Sequence, residues 1–350
     1  MTISRSGENL IFVISQPRAG STLLQRILAG HPEIGTTAEP WIMLHTVYAL
    51  RRGGIETEYF HNRARRALDD FLAQLPEGEE TYIRAIREMA CVLYNEACTS
   101  LNKPRFLDKT PTYYLIIPEL YQIFPKARFI FLLRNPLSVL ASILNTWIRG
   151  EWIRLPRHRN NLLVAPHKML EGIRLLQDHA YTVHYESLVQ EPTSQIRKIC
   201  AWLGVEYHPD MLEYGKTPAL AGGMGDPSGI HKHACPTTSS MEKWLKLGKT
   251  KQTRHFAETY LDTLGPQFLK EFGYDYAELK ERLLAVPCRD KGSVLSWHTA
   301  ISGDKTFWDK TLLILYELWQ KRKFGHAGKQ FGQLLIGRYD LLKPHHENSR

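Results

Sequence analysis

Cysteine is scarce in this chain, and its spacing is unhelpful for cross-linking. Cys91, Cys98, Cys200, Cys235 and Cys288 are odd in number and contain no Cys-x-x-Cys pair, so neither a disulfide framework nor a thiolate metal site is indicated. The first strand-like run begins within ten residues, and the expectation is a cytoplasmic protein with reduced thiols and no leader or membrane anchor. A Walker A loop is missing as well. The first phosphate-type turn is shorter than Gly-x4-Gly-Lys-Ser/Thr and has no lysine, which disfavours an ordinary nucleoside triphosphatase. Positive charge is in excess, at a net +9, but the basic residues are dispersed. That balance suits a small polyanionic ligand and argues against nucleic acid as a partner.

What the chain does have begins at Ile11–Leu28, IFVISQPRAGSTLLQRIL. An apolar run stops at a turn rich in Pro, Gly and hydroxyls, and a helical pattern follows at once. The pattern reads as strand, anion-cradling loop and helix N-terminus: amides around Ala19, Gly20, Ser21 and Thr22 would meet a phosphate, with Arg18 supplying a cation. On residues alone, Ser21 or Thr22 as an N-cap and Gly20 as a turn glycine remain open. A second segment, Ala127–Leu144, repeats the logic. Seven apolar or strand-forming residues read as a buried parallel strand, Arg134 stands at its C-terminal end, Asn135 caps, and Pro136 opens a helix with Ser142 two turns along. The planar guanidinium fork suits a terminal phosphate, and a structural salt bridge is the plainer alternative.

Taken together, these segments resemble the sulfotransferases that use 3′-phosphoadenosine 5′-phosphosulfate (PAPS). SQPRAGST, from Ser15 to Thr22, matches the family loop for the 5′-phosphosulfate; Arg134 with Ser142 matches the pair holding the 3′-phosphate. HPEIGTTAEPWIML is similar to the branch containing carbohydrate, tyrosylprotein and polyketide-associated enzymes, and the resemblance implies Glu39 as catalytic base. FLDKTPTYY resembles that branch's lysine segment and implies Lys109 close to the transferring group, while Pro111 stands where the cytosolic branch has its histidine base. VHYESLVQEPTSQIRKICAWLGV resembles the family's Tyr-Glu-x-Leu strand and helix. SSMEKW resembles the region closing over the 3′-phosphoadenosine, which makes Ser239, Ser240 and Lys243 candidate contacts. The match covers roughly residues 9 to 250.

The resemblance implies in-line transfer of a sulfuryl group from PAPS to a hydroxyl, releasing 3′-phosphoadenosine 5′-phosphate (PAP). Glu39 would accept the proton, and Arg18 and Lys109 would stabilise the charge, a set of roles that requires no metal. The acceptor is left open among a glycan, a lipid, a polyketide hydroxyl and a peptide. The competing functions are a P-loop-like small-molecule kinase and a non-catalytic nucleotide-binding module. Against the kinase stand the absent Walker lysine and the lack of an acidic pair for Mg²⁺; against the module stands the presence of both Glu39 and Lys109.

Alternating patterns predict an α/β fold, a P-loop-like central parallel sheet with helices on both faces, followed by a helical C-terminal extension. The expected division is residues 1–277 for the transfer domain and 278–350 for the extension. Helices are expected near 41–51, 57–74, 80–101, 112–123, from 136, near 163–178 and at 192–203, with strands at 105–108, 127–133 and 181–185. Arg51, Arg52, Arg63, Arg65 and Arg66 read as solvated helix faces, with a contact for a charged acceptor or carrier protein as the second reading. In the Pro- and Gly-rich stretch from Thr217 to Trp244, His231, His233 and Cys235 alternate without a fourth ligand, so an acceptor contact or plain exposure is expected of the histidines. The segment from Lys305, with Trp308, Leu312, Leu313, Leu315, Trp319 and Phe324 among basic residues, reads as an amphipathic helix. Packing on the core, peripheral membrane contact, a cover over an apolar acceptor and a homodimer contact are its four readings.

Overall fold

The computed structural model describes residues 3–216, 234–288 and 294–302. Five strands form one sheet: β1 Leu10–Ser15, β2 Ile34–Thr36, β3 Arg105–Asp108, β4 Arg128–Leu133 and β5 Ala180–His184, in the order β2-β3-β1-β4-β5. Every pairing is parallel, with Ile11 opposite Leu107 on one side of β1 and Arg128 on the other. Parallel neighbours need crossovers, and helices supply them. They are α1 Ser21–Ala29, α2 Ile42–Tyr48, α3 His61–Leu72, α4 Glu79–Leu101, α5 Ile117–Ile123, α6 Pro136–Ile143 and α7 Ala165–Leu176, and after the last strand come α8 Tyr185–Gln190 and α9 Pro192–Leu203.

β1 is buried along its whole length, which is why its sequence is a continuous apolar run. Alternate side chains serve opposite faces. Ile11 and Val13 join Leu24, Ile27, Leu188, Ile196 and Ile199 in one core, whereas Phe12 stacks on Phe129 at 5.2 Å between ring centres and meets Tyr113 edge-on at 6.1 Å. The chain leaves β1, forms β2 and β3 on one side, then crosses to β4 on the other. That reversal opens a crevice at the C-terminal ends of β1, β3 and β4, where open α/β sheets bind ligands.

The described chain divides into two contact units. Of the described residues, the first comprises 3–139, 161–216 and 234–243 and holds the sheet; the second comprises 140–160, 244–288 and 294–302. Within the second, α10 Lys251–Leu264, α11 Pro266–Glu271, α12 Tyr276–Leu284 and α13 Trp297–Ile301 follow in order. Their core is aromatic: Phe256 meets Trp152 and Trp297 edge-on at 5.2 and 5.5 Å. Thr250 and Asp275 cap α10 and α12 by accepting the amides of Thr253 and Glu278.

Three expectations need correction. The helix at 112–123 is a 3-10 turn, Pro111–Leu115, followed by α5, because Pro118 has no amide to continue the first helix and suits the start of a second. Arg65 is not solvated: it is 7% exposed and bridges Asp69 and Glu79 at 2.7 and 3.1 Å, although Arg52, Arg63 and Arg66 are exposed. Arg51 is half-buried and paired with Glu119. The short strand β2 and helix α8 carry no counterpart in the sequence reading. His231, His233 and the segment from Lys305 lie outside the described residues. Among those described, no helix is long and apolar enough to cross a membrane.

Candidate active site

Between β1 and α1 the chain turns within five residues, and its backbone conformation explains how. Arg18 and Gly20 both take left-handed values, φ 72° and 102°, on either side of Ala19, whose amide donates to the Gln16 carbonyl at 3.1 Å. Glycine is required at position 20: besides the φ value, an added Cβ would stand 2.5 Å from Cδ2 of Tyr185. The amides of Leu23 and Leu24 return to the Gly20 carbonyl, and no side chain caps α1. Among the described residues the amides of Ser21 and Thr22 therefore have no protein acceptor, at the end of a helix where the dipole favours an anion.

At the end of β3, Lys109 is only 1% exposed. A buried ammonium needs a partner, and Lys109 Nζ donates to Glu39 Oε1 at 2.6 Å, with Thr22 Oγ1 at 3.4 Å. The other Glu39 oxygen, Oε2, accepts from Trp41 Nε1 at 3.1 Å. Cation, carboxylate and helix start thus meet through Thr22 and Lys109. Asp108, immediately before the lysine, is fully buried and accepts three hydroxyls: Tyr94 at 2.6 Å, Thr110 at 2.9 Å and Tyr113 at 3.0 Å. Burial pushes its carboxyl up to about 6, against the opposing pull of those three donors and of Lys109. The Tyr94 and Tyr113 phenols are held well above their usual range by burial and by the Asp108 charge.

β4 ends in Arg134, 8% exposed, with its guanidinium 3.9 Å from the ring centre of Tyr185. Its Nη1 donates to the Arg18 carbonyl at 3.2 Å and its Nη2 to the Ser240 carbonyl at 3.4 Å, while Nε is buried without a partner. Among the described residues no carboxylate pairs with it, so the structural salt bridge is not what this arginine makes. Asn135 Oδ1 accepts the Leu137 amide at 2.9 Å, the expected cap of α6. Tyr185 is wedged between this arginine and Gly20, which ties the end of β5 to both phosphate-type elements.

The structure brings Arg18, Ala19, Gly20, Ser21, Thr22, Lys109, Glu39 and Arg134 to the ends of adjacent strands in the first unit. Ser240 joins them through its carbonyl, and Lys243 Nζ donates to Ser240 Oγ at 3.3 Å; both Ser239 and Lys243 are exposed. Ser142 lies on α6 in the second unit. Sequence reasoning gave no role to Tyr185, Trp41, Thr110 or Asp108. Tyr185 was detectable in principle, since it directly follows a strand at the sheet edge where ligands bind.

Comparison with known proteins identifies the family. The profile of the Sulfotransferase family matches residues 10–209. The nodulation protein NoeE of Sinorhizobium fredii is 27% identical over 86% of this chain and 73% of that protein. A putative protein-tyrosine sulfotransferase of Caenorhabditis briggsae is 24% identical over 78% and 91%, respectively. Among solved structures, the sulfotransferase domain from the curacin biosynthetic pathway is 21% identical with a TM-score of 0.48, covering 67% of this chain and 89% of that one. A parallel sheet with a glycine turn, a buried Lys–Glu pair and an arginine on the next strand is thus carried by a chain that belongs to the sulfotransferase family, enzymes of sulfuryl transfer.

Proposed function

We propose that the chain moves the sulfuryl group of PAPS to a hydroxyl acceptor by in-line transfer, leaving PAP, with Glu39 as general base. The observation that carries this reading is the contact of Lys109 with both Glu39 and Thr22: the acid–base group and the start of α1 share one cation.

The residues present fit a doubly phosphorylated nucleotide. Ser21 and Thr22 offer amides at a helix N-terminus for the 5′ end. Arg134 is a nearly buried cation with an unused Nε donor and no carboxylate partner among the described residues, a site that an anion would complete. Ser239, Ser240 and Lys243 are the further proposed 3′-phosphoadenosine contacts, and Ser240 already accepts from Arg134 through its carbonyl. Bound PAPS supplies the activated sulfuryl group and a phosphate leaving group. Glu39 takes the acceptor proton as the new S–O bond forms, and the proton ends on its carboxylate. Lys109 and Arg18 offset charge that grows on the sulfuryl oxygens and on the phosphate oxygen as the old S–O bond breaks. The electron pair of that bond leaves with PAP.

Five relatives are named for protein-tyrosine sulfation, and a tyrosine side chain presents a hydroxyl. The acceptor class proposed for this chain is accordingly a hydroxyl on a glycan, lipid, polyketide or peptide, in a cytoplasmic setting. The test is release of PAP from PAPS against a panel of hydroxyl probes: 2-naphthol, tyrosine methyl ester, octyl glucoside and 1-dodecanol. Binding of PAP by calorimetry with release above the hydrolysis background is the expected result. Absence of PAP binding refutes the nucleotide assignment.

A further inference from the structure

A carboxylate that must accept a proton from a bound alcohol has to stand still, and glutamate is poorly suited to that. Its side chain has several rotatable bonds, and a general base acts only within hydrogen-bond reach of the hydroxyl it deprotonates. Lys109 holds one oxygen of Glu39, which by itself leaves the carboxylate free to rotate about that contact. Trp41 Nε1 holds the other at 3.1 Å.

Trp41 occupies an unusual place for such a residue. Its φ is 58°, in the left-handed region that bulky side chains avoid and that Gly or Asn adopt more readily. A conformation of this kind persists where its surroundings over-determine it, and the contacts show how. The Trp41 amide donates to Thr110 Oγ1 at 3.4 Å, and the Thr110 hydroxyl donates to Asp108 Oδ1 at 2.9 Å. Two residues on, the Met43 amide donates to the Tyr113 hydroxyl at 3.1 Å, and that hydroxyl donates to Asp108 Oδ2 at 3.0 Å. The start of α2 is therefore tied at two amides to one buried carboxylate, and that carboxylate adjoins Lys109 in the chain. A residue pair 70 positions apart is aligned from both sides by a single anchor.

We propose that Trp41 is a positioning residue for sulfuryl transfer, fixing the plane of the Glu39 carboxylate through its indole N–H, and that Asp108 fixes Trp41 through Thr110. With one donor on each oxygen, Glu39 keeps a lone pair on each to receive the acceptor proton. The inference rests on Glu39 being the base.

The test uses the full chain with PAPS, reading PAP release to water and to the fastest of the four hydroxyl probes, and PAP affinity by calorimetry. Trp41→Phe retains an aromatic ring and removes the donor; Thr110→Val cuts the tie to Asp108, and Thr110→Ser restores the hydroxyl. Trp41→Phe and Thr110→Val are expected to lower kcat about 10-fold or more, with the PAP Kd within about 2-fold of the unaltered enzyme, and Thr110→Ser to recover most of the rate. In a Glu39→Gln background, Trp41→Phe is expected to change the residual rate less than about 2-fold, because it acts through the carboxylate alone. An unchanged kcat in Trp41→Phe, or the same loss with and without Glu39, overturns the positioning role and leaves the base assignment standing. Full activity of Glu39→Gln overturns the base assignment and this inference together. Should Trp41→Phe fold poorly, the Thr110 pair decides, and equal loss in Thr110→Ser and Thr110→Val counts against the proposal.

Discussion

Asp108 is the residue whose protonation should be visible in the stability of the whole first unit. Its carboxyl is raised from 3.8 to about 6 by burial. For a group whose folded value lies above its unfolded value, the native state binds the extra proton, so this contribution is full below about pH 4 and is lost as pH rises through about 6. A shift of about 2 units corresponds to about 3 kcal/mol over the full span, of which about 2 kcal/mol falls between pH 4.5 and 7.5. Asp108→Asn removes the titration and keeps the shape. The amide oxygen still accepts from Tyr94 and Tyr113, and its NH₂ donates to Thr110, whose hydroxyl can accept as well as donate. Urea unfolding followed by tryptophan fluorescence, run on both proteins at several pH values, isolates the effect as a difference, because every other titrating group cancels. The advantage of the unaltered protein over Asp108→Asn should shrink by about 2 kcal/mol from pH 4.5 to 7.5. Parallel curves, or a difference that grows with pH, would refute the claim that this carboxylate is held raised by burial against its hydroxyl donors.

Other consequences follow from the same geometry. Glu39→Gln should lose turnover about 10²–10⁴-fold while binding PAP as before, measured by PAP release and calorimetry. Arg134→Ala should weaken PAP binding by about 2–3 kcal/mol, and Arg134→Lys should recover only part of it, since an ammonium offers neither the flat fork nor the stack on Tyr185; affinity in Arg134→Ala equal to the parent would contradict the site. Gly20→Ala should lower the urea midpoint by the equivalent of about 1–3 kcal/mol, through its positive φ and the 2.5 Å approach to Tyr185. Adding Tyr185→Ala should relieve the contact and leave the backbone cost.

Much of the fold lay on the surface of the sequence because its signals are local. A fully buried parallel strand must be apolar throughout, as β1 and β4 are, and a helix that starts at once announces itself by Asn135 and Pro136. β2 escaped notice because three residues, Ile34–Thr36, show no period; they become a strand only by pairing with Arg105–Leu107. Arg65 misled for a related reason. Its neighbours in sequence are exposed arginines; Asp69 is a local partner one turn on, and folding adds the burial of Arg65 and a second partner, Glu79, from the next helix. Lys109 and Glu39 were singled out through family resemblance, whereas their contact across 70 residues, and the burial that makes it obligatory, are properties of the folded chain.

By itself the order of residues determined the parallel sheet, the glycine turn after β1, the arginine at the end of β4 and the family to which they point, since each depends on neighbours a few positions apart. Tertiary structure alone decided which groups meet: Tyr185 between Gly20 and Arg134, three hydroxyls on Asp108, and the indole of Trp41 on Glu39. Such contacts join segments brought together by sheet order, and a buried charge takes its partner from whatever the packing places beside it.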